Sequence, residues 1–97
     1  MEIVSQAKEY QLQTVKKKWV RVVFYHKDSA GEFVDGLTTE EILGMLIDRQ
    51  ANFVKSTTND DENLNALTHM KQAMMFLKTR SDKKLEFKKN NRNKVNA

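Results

Sequence analysis

Cysteine and proline are both missing from this 97-residue chain, and glycine occurs only three times. Without cysteine there is no disulfide scaffold, thiolate metal site, cysteine nucleophile or redox pair. That absence fits a reducing compartment, and a cytoplasmic location is expected. Scarce proline and glycine argue against a loop-rich or fibrous architecture. Long apolar runs are lacking too. The longest span a few residues, far short of the ~20 needed to cross a bilayer, so no membrane association is expected. The opening residues Met1 to Gln6 show no basic patch followed by an apolar stretch, and no signal peptide is expected.

Catalytic signatures are equally scarce. The chain contains no GxSxG, P-loop, HExxH or GxGxxG pattern. His26 falls in a predicted turn and His69 on a predicted helix, neither with a partner at metal-ligand spacing. Asp60, Asp61 and Glu62 are adjacent acids, but acids opening a helix complement its dipole and need no metal. No enzyme activity, no metal site and no cofactor are expected.

What is present is a modest apolar fraction, 39%, and an uneven charge. Residues 1–80 carry 11 basic and 11 acidic side chains, so the net charge of +4 comes from the last 17 residues. A nucleic-acid binder usually shows a basic face on its folded part. With a neutral body, nucleic acid is not the expected partner. A domain this small buries a limited share of its surface, so self-association would add much to its stability.

The predicted fold class is α+β in a single domain over 1–83. Residues 1–15 place Ile3, Val4, Ala7 and Tyr10 at helical spacing, which predicts a short amphipathic helix. Trp19-Val20-Arg21-Val22-Val23-Phe24-Tyr25 is rich in β-branched and aromatic side chains and reads as a strand. His26 to Gly31 is turn material, and Glu32 to Asp35 a second short strand. Together they predict a β-hairpin at about 19–35. Thr38-Thr39-Glu40-Glu41 is a capping box, and the stripe of Ile42, Leu43, Leu46, Ile47, Phe53 and Val54 predicts a helix at about 39–55. Leu64, Leu67, Met70, Met74 and Leu77 predict a second helix at about 61–83. A short connector between two amphipathic helices makes an antiparallel helical hairpin. From 84 to 97 the chain is polar, Asn-rich and basic, and is expected to be a disordered tail.

Met70, Met74 and Met75 beside Phe76 form an adaptable apolar surface, suited to core packing or to a subunit interface. Phe53, Asn63 and Arg80 match what a nucleotide needs: a ring to stack on a base, an amide to read polar edges, and a guanidinium to grip phosphate. Taken singly, each also has a structural explanation. Phe53 fits a core, Asn63 a helix start and Arg80 a helix end.

The helical hairpin carries a resemblance. Gly36-Leu37-Thr38-Thr39-Glu40-Glu41-Ile42-Leu43 leads to Ile47-Asp48-Arg49-Gln50-Ala51-Asn52-Phe53. After a short connector come Glu62-Asn63-Leu64-Asn65-Ala66-Leu67, then Ala73, and finally Phe76-Leu77-Lys78-Thr79-Arg80. This pattern resembles the helical hairpin shared by the phage Thoeris anti-defence sponge and the anti-CBASS cyclic-nucleotide sponge. The β-hairpin ahead of it is more like the Thoeris branch. The resemblance covers roughly residues 20–82. It implies a protein without catalysis, which sequesters a cyclic nucleotide immune second messenger, either a cyclic ADP-ribose isomer or a cyclic oligonucleotide. It also implies a homo-oligomer, dimeric or hexameric. The family's aromatic, asparagine and closing arginine fall on Phe53, Asn63 and Arg80. Asn65 is a weaker candidate on a different helical face. Where family members continue into a glycine-containing R-G-V-E-G-like ending, this chain reads Ser81-Asp82-Lys83-Lys84-Leu85-Glu86-Phe87.

Helix geometry constrains how these residues cooperate. Asn63 and Arg80 lie 17 residues apart on one predicted helix, about 25 Å at 1.5 Å per residue. No cyclic nucleotide spans that distance, so a composite pocket requires Arg80 from a second chain. The alternative function, from another class, is a small nucleic-acid-binding or protein-interaction module working through the basic tail.

Overall fold

A computed structural model describes residues 1–56 and 61–95, with side chains through Leu85. It is mixed α+β, with antiparallel strands followed by two helices that pack together. The chain divides into two compact units, Met1–Ile42 and Leu43–Ala97.

The first unit holds β1 (Glu2–Ser5), β2 (Glu9–Gln13) and β3 (Trp19–Val23), which form an antiparallel sheet in that order. The short amphipathic helix expected over 1–15 is therefore replaced by a strand hairpin. The reason is competition for hydrogen bonds. An isolated short helix is marginal in water, whereas β3 offers a full row of backbone groups. Residues Glu9 to Gln13 pair with Val23 to Trp19 across five positions. Ile3 then pairs with Tyr10, with a bulge between Ile3 and Ser5. Both turns use left-handed residues other than glycine, Ala7 at φ 66° and Lys17 at φ 66°. The Lys17 turn is closed by Thr14, whose amide donates to the Lys18 carbonyl and whose Oγ1 accepts from the Lys18 amide.

The hairpin predicted at 19–35 is present in a shorter form. β4 (His26–Lys27) pairs with β5 (Phe33–Val34), while Trp19 to Val23 turns back to β2. His26 therefore belongs to a strand rather than a turn. Its Nδ1 lies 2.7 Å from the Phe24 carbonyl. Asp28 organises the β4–β5 loop by accepting the Ala30 and Glu32 amides, each at 2.9 Å.

Gly36 sits at a close approach of two backbone segments. A Cβ there would lie 2.5 Å from the Phe24 carbonyl carbon and 2.6 Å from the Tyr25 nitrogen. Beside it the Leu37 amide donates to the Val23 carbonyl, and the Tyr25 amide to the Leu37 carbonyl. One side of the sheet is apolar. Tyr10, Leu12, Val22 and Phe24 line a cavity of about 390 Å³ with Met1 and Ile42. Tyr10 and Phe24 meet edge to face at 5.8 Å, a favoured aromatic geometry.

Helix α1 (Thr39–Ser56) starts one residue after the capping residue. The Glu41 amide donates to Thr38 Oγ1 at 3.2 Å, as the capping box requires. Helix α2 (Asp61–Val95) begins where expected and continues beyond the predicted end near 83. Its backbone is thus helical through most of the stretch expected to be a disordered tail, and the tail side chains from 86 onward lie outside the described residues. Leu67 is the one buried hydrophobic side chain among the described residues. Half-buried Ile47, Ala51, Val54, Ala66, Met70, Met74 and Leu77 complete the helical stripes. Gly44 admits the Met74 side chain, whose Cε would stand 3.8 Å from an added Cβ. Met75 and Phe76 remain 68% and 77% exposed, so the apolar surface noted in the sequence is only partly used within this chain.

Two substitutions test these local rules. Gly36→Ala forces a Cβ into backbone atoms that cannot give way, and should destabilise the first unit by about 3 kcal/mol or more. Thr38→Ala removes only a cap and should cost about 1 kcal/mol. Urea unfolding midpoints of the two variants check both magnitudes.

Candidate ligand site at the end of the helical hairpin

The last turns of α1 and the first turn of α2 are joined by a side chain. Gln50 Nε2 donates to Asn63 Oδ1 at 2.6 Å and to the Asn63 carbonyl at 3.1 Å. Gln50 and Asn63 are both half-buried, where an unmade amide hydrogen bond is costly. This pair brings Asn63 to the end of the hairpin that also holds Phe53, one turn beyond Gln50. The glutamine was not singled out as a site residue in the sequence. Its signal was its place three residues before Phe53, on a face turned toward the second helix.

Phe53 is 41% exposed. The Arg49 guanidinium carbon sits 4.8 Å from the centre of its ring, within cation–π range. The spacing of four residues puts both side chains on one helical face. Arg49, Asn52, Phe53 and Ser56 line an open surface depression of about 410 Å³. Two of its polar groups are already oriented. Asn52 Nδ2 donates to the Asp48 carbonyl at 2.9 Å, and Ser56 Oγ donates to the Phe53 carbonyl at 3.0 Å. These bonds fix the Asn52 amide with its oxygen as the remaining acceptor. Arg49, Asn52 and Ser56 are thus additions that only the fold reveals as neighbours of Phe53.

The other sequence candidates lie elsewhere. Asn65 is exposed, two residues and about 200° round the helix from Asn63. Arg80 is exposed on α2. Because α2 is one continuous helix from Asp61, Arg80 stands about 25 Å along its axis from Asn63. The fold therefore gathers Phe53 and Asn63 at one end of the hairpin and keeps Arg80 of the same chain away from them. His69 is also exposed on α2. Asp60 lies outside the described residues. Among the described residues no group of three or more His, Asp or Glu side chains is arranged to hold a metal ion, and no helix is long and apolar enough to cross a membrane.

No protein-family model matches the chain, and no curated protein matches it.

The Gln50–Asn63 bonds give a direct test of how this end is held. Gln50→Ala leaves the Asn63 amide without that donor and should destabilise the helical unit by about 1–3 kcal/mol. Amide hydrogen exchange over α1 and the start of α2 should speed up accordingly, while β2 and β3 keep their protection.

Proposed function

We propose that this chain is a sponge: it binds a cyclic nucleotide immune second messenger and withholds it without altering it. The observation that carries this reading is the half-exposed Phe53 ring, backed by the Arg49 guanidinium at the edge of an open surface depression. A purine base stacks on such a ring. A neighbouring cation strengthens the stack and draws in phosphate. Asn63, at the same end of the hairpin, hydrogen-bonds the ligand. The resemblance to the phage Thoeris anti-defence and anti-CBASS sponges supplies the ligand class, a cyclic ADP-ribose isomer or a cyclic oligonucleotide. It also supplies the setting, the cytoplasm of an infected host cell.

Assembly is part of this proposal. Arg80 reaches the phosphates of the same ligand from a second copy of the chain, since about 25 Å of helix separates it from its own Asn63. The exposed Met75 and Phe76 side chains support such pairing, because exposed apolar clusters mark interaction surfaces. The protein then works as a dimer or a larger ring. Sequestration needs slow release and stoichiometric protein, with no nucleophile, metal or general base, and no enzymatic role is proposed.

Calorimetric titration with cyclic ADP-ribose isomers, cyclic dinucleotides, cyclic trinucleotides and linear ADP-ribose tests the proposal. One cyclic member should bind submicromolar, which corresponds to more than about 8 kcal/mol, and should be recovered intact after heat denaturation. Phe53→Ala should weaken that binding about 5- to 100-fold, the loss of one base stack. Mixing Phe53→Ala and Arg80→Ala subunits should restore one good site per mixed dimer. Failure of every ligand in the panel to bind overturns the reading.

A further inference from the structure

We propose that the outer face of α2 pairs with the same face of a second copy of this chain, antiparallel, with Gln72 on the two-fold axis. The face is defined by what α2 leaves uncovered. Asn63, Ala66, Leu67, Met70, Met74 and Leu77 are buried or half-buried and mark the side packed within the hairpin. At 3.6 residues per turn, Asn65, Thr68, Gln72, Phe76 and Thr79 fall on the opposite side, and all five are exposed. Leu64 and Met75 flank them, 49% and 68% exposed, and Phe76 itself is 77% exposed. Between Leu64 and Thr79 the only Lys, Arg, Asp or Glu residues are Lys71 and Lys78. Both lie beside the buried stripe. The outer face is therefore free of acids, lysines and arginines over about four turns and carries large apolar side chains. The solvated face of a surface helix is normally charged, and exposed apolar clusters mark interaction surfaces.

Charge returns at the two ends of this face, with opposite sign. One turn further in each direction the stripe reaches Asp61 and Lys83, both exposed. Asp61, Asn65, Thr68, Gln72, Phe76, Thr79 and Lys83 follow one another at spacings that read the same from either end. A stripe of that symmetry is complementary to itself about a two-fold axis through Gln72. Antiparallel pairing sets Asp61 opposite the partner's Lys83, Asn65 opposite the partner's Thr79 and Thr68 opposite the partner's Phe76. Gln72 meets the partner's Gln72, and two carboxamides can each donate to and accept from the other. Parallel pairing would instead set Asp61 on Asp61 and Lys83 on Lys83, which like charges oppose. The same pattern disfavours an anionic partner such as nucleic acid, because the face between its ends offers no lysine or arginine.

This register has a consequence for the Phe53 site. With Gln72 on the axis, the partner's Arg80 falls opposite Leu64, one residue from Asn63. Arg80 is thereby delivered to the connector end of the hairpin, across the length of helix that separates it from Asn63 within one chain. The register is argued from α2 alone, while its use for the ligand rests on the sponge reading. The two therefore fail separately, and the interface is tested without any nucleotide present.

The chain has no cysteine, so one introduced thiol reports on the contact unambiguously. Gln72→Cys in the full chain should form a disulfide-linked dimer under mild oxidation, since paired helices at 8–10 Å bring facing residues within about 7 Å. Asn65→Cys alone and Thr79→Cys alone should stay unlinked, because about 21 Å or 14 residues of helix separates each from its own copy. Mixed together, those two variants should link to each other. Sedimentation equilibrium of the unmodified chain should show a dimer, and Phe76→Asp should raise its Kd more than about 30-fold, as loss of a central anchor does. Asp61→Lys should raise the Kd about 2- to 30-fold through two lost ion pairs. Adding Lys83→Asp to it should restore the dimer, a rescue that a mere effect on the start of α2 would not give. A monomeric chain, a dimer that Gln72→Cys does not link, self-linking of Asn65→Cys, or no rescue by the paired charge reversal would each overturn the proposal.

Discussion

Backbone pairing along Trp19 to Val23 is the constraint on which the first unit depends. A single strand of β-branched and aromatic residues has no stable existence in water until its amides and carbonyls are matched. Residues Glu9 to Gln13 match them on one edge across five positions. At the end of β3 the chain returns through Gly36, and Leu37 takes the Val23 carbonyl. Only glycine lets the backbone pass that close to Phe24 and Tyr25. Once this pairing is set, the alternation of side chains follows. The cavity side receives Tyr10, Leu12, Val22 and Phe24, and the other receives Trp19, Arg21 and the glutamines.

The helical unit solves a different problem with few buried groups. Leu67 is its single buried hydrophobic residue among those described. Specificity at the connector end rests on the Gln50 amide, which holds both the side chain and the carbonyl of Asn63. A polar clamp of this kind fixes register more strictly than apolar contact does, because its alternatives leave half-buried amides unmatched. The same end carries Phe53 and Arg49, so the geometry that locks the hairpin also places the aromatic ring.

Legibility differed between the two units for physical reasons. The helices were readable because a 3.6-residue stripe and a capping box are local signals: Thr38 with Glu41 fixed the start of α1, and Leu64 to Leu77 the path of α2. The β1–β2 hairpin was not readable. Its turns use Ala7 and Lys17 in the left-handed region, where glycine or asparagine would have announced them. Ile3, Val4, Ala7 and Tyr10 also mimic a helical stripe. Past 83 the residues lack an apolar face, and periodicity is silent on where α2 stops. At the site, Phe53 and Asn63 stood out by residue type. Gln50 did not, because nothing in a lone glutamine says which carbonyl it will meet.

By itself, the sequence determined the α+β class, the start of each helix, the lack of cysteine and catalytic motifs, and the distance along α2 between Asn63 and Arg80. These follow from composition, from local capping chemistry and from a fixed helical rise. The tertiary structure alone decided which strand pairs with β3, which side chains share the face of Trp19, and that Arg49 and Gln50 support the Phe53 end of the hairpin. Those outcomes depend on contacts between residues far apart in the chain, and hydrogen-bond competition among alternative partners settles them only once the whole unit is assembled.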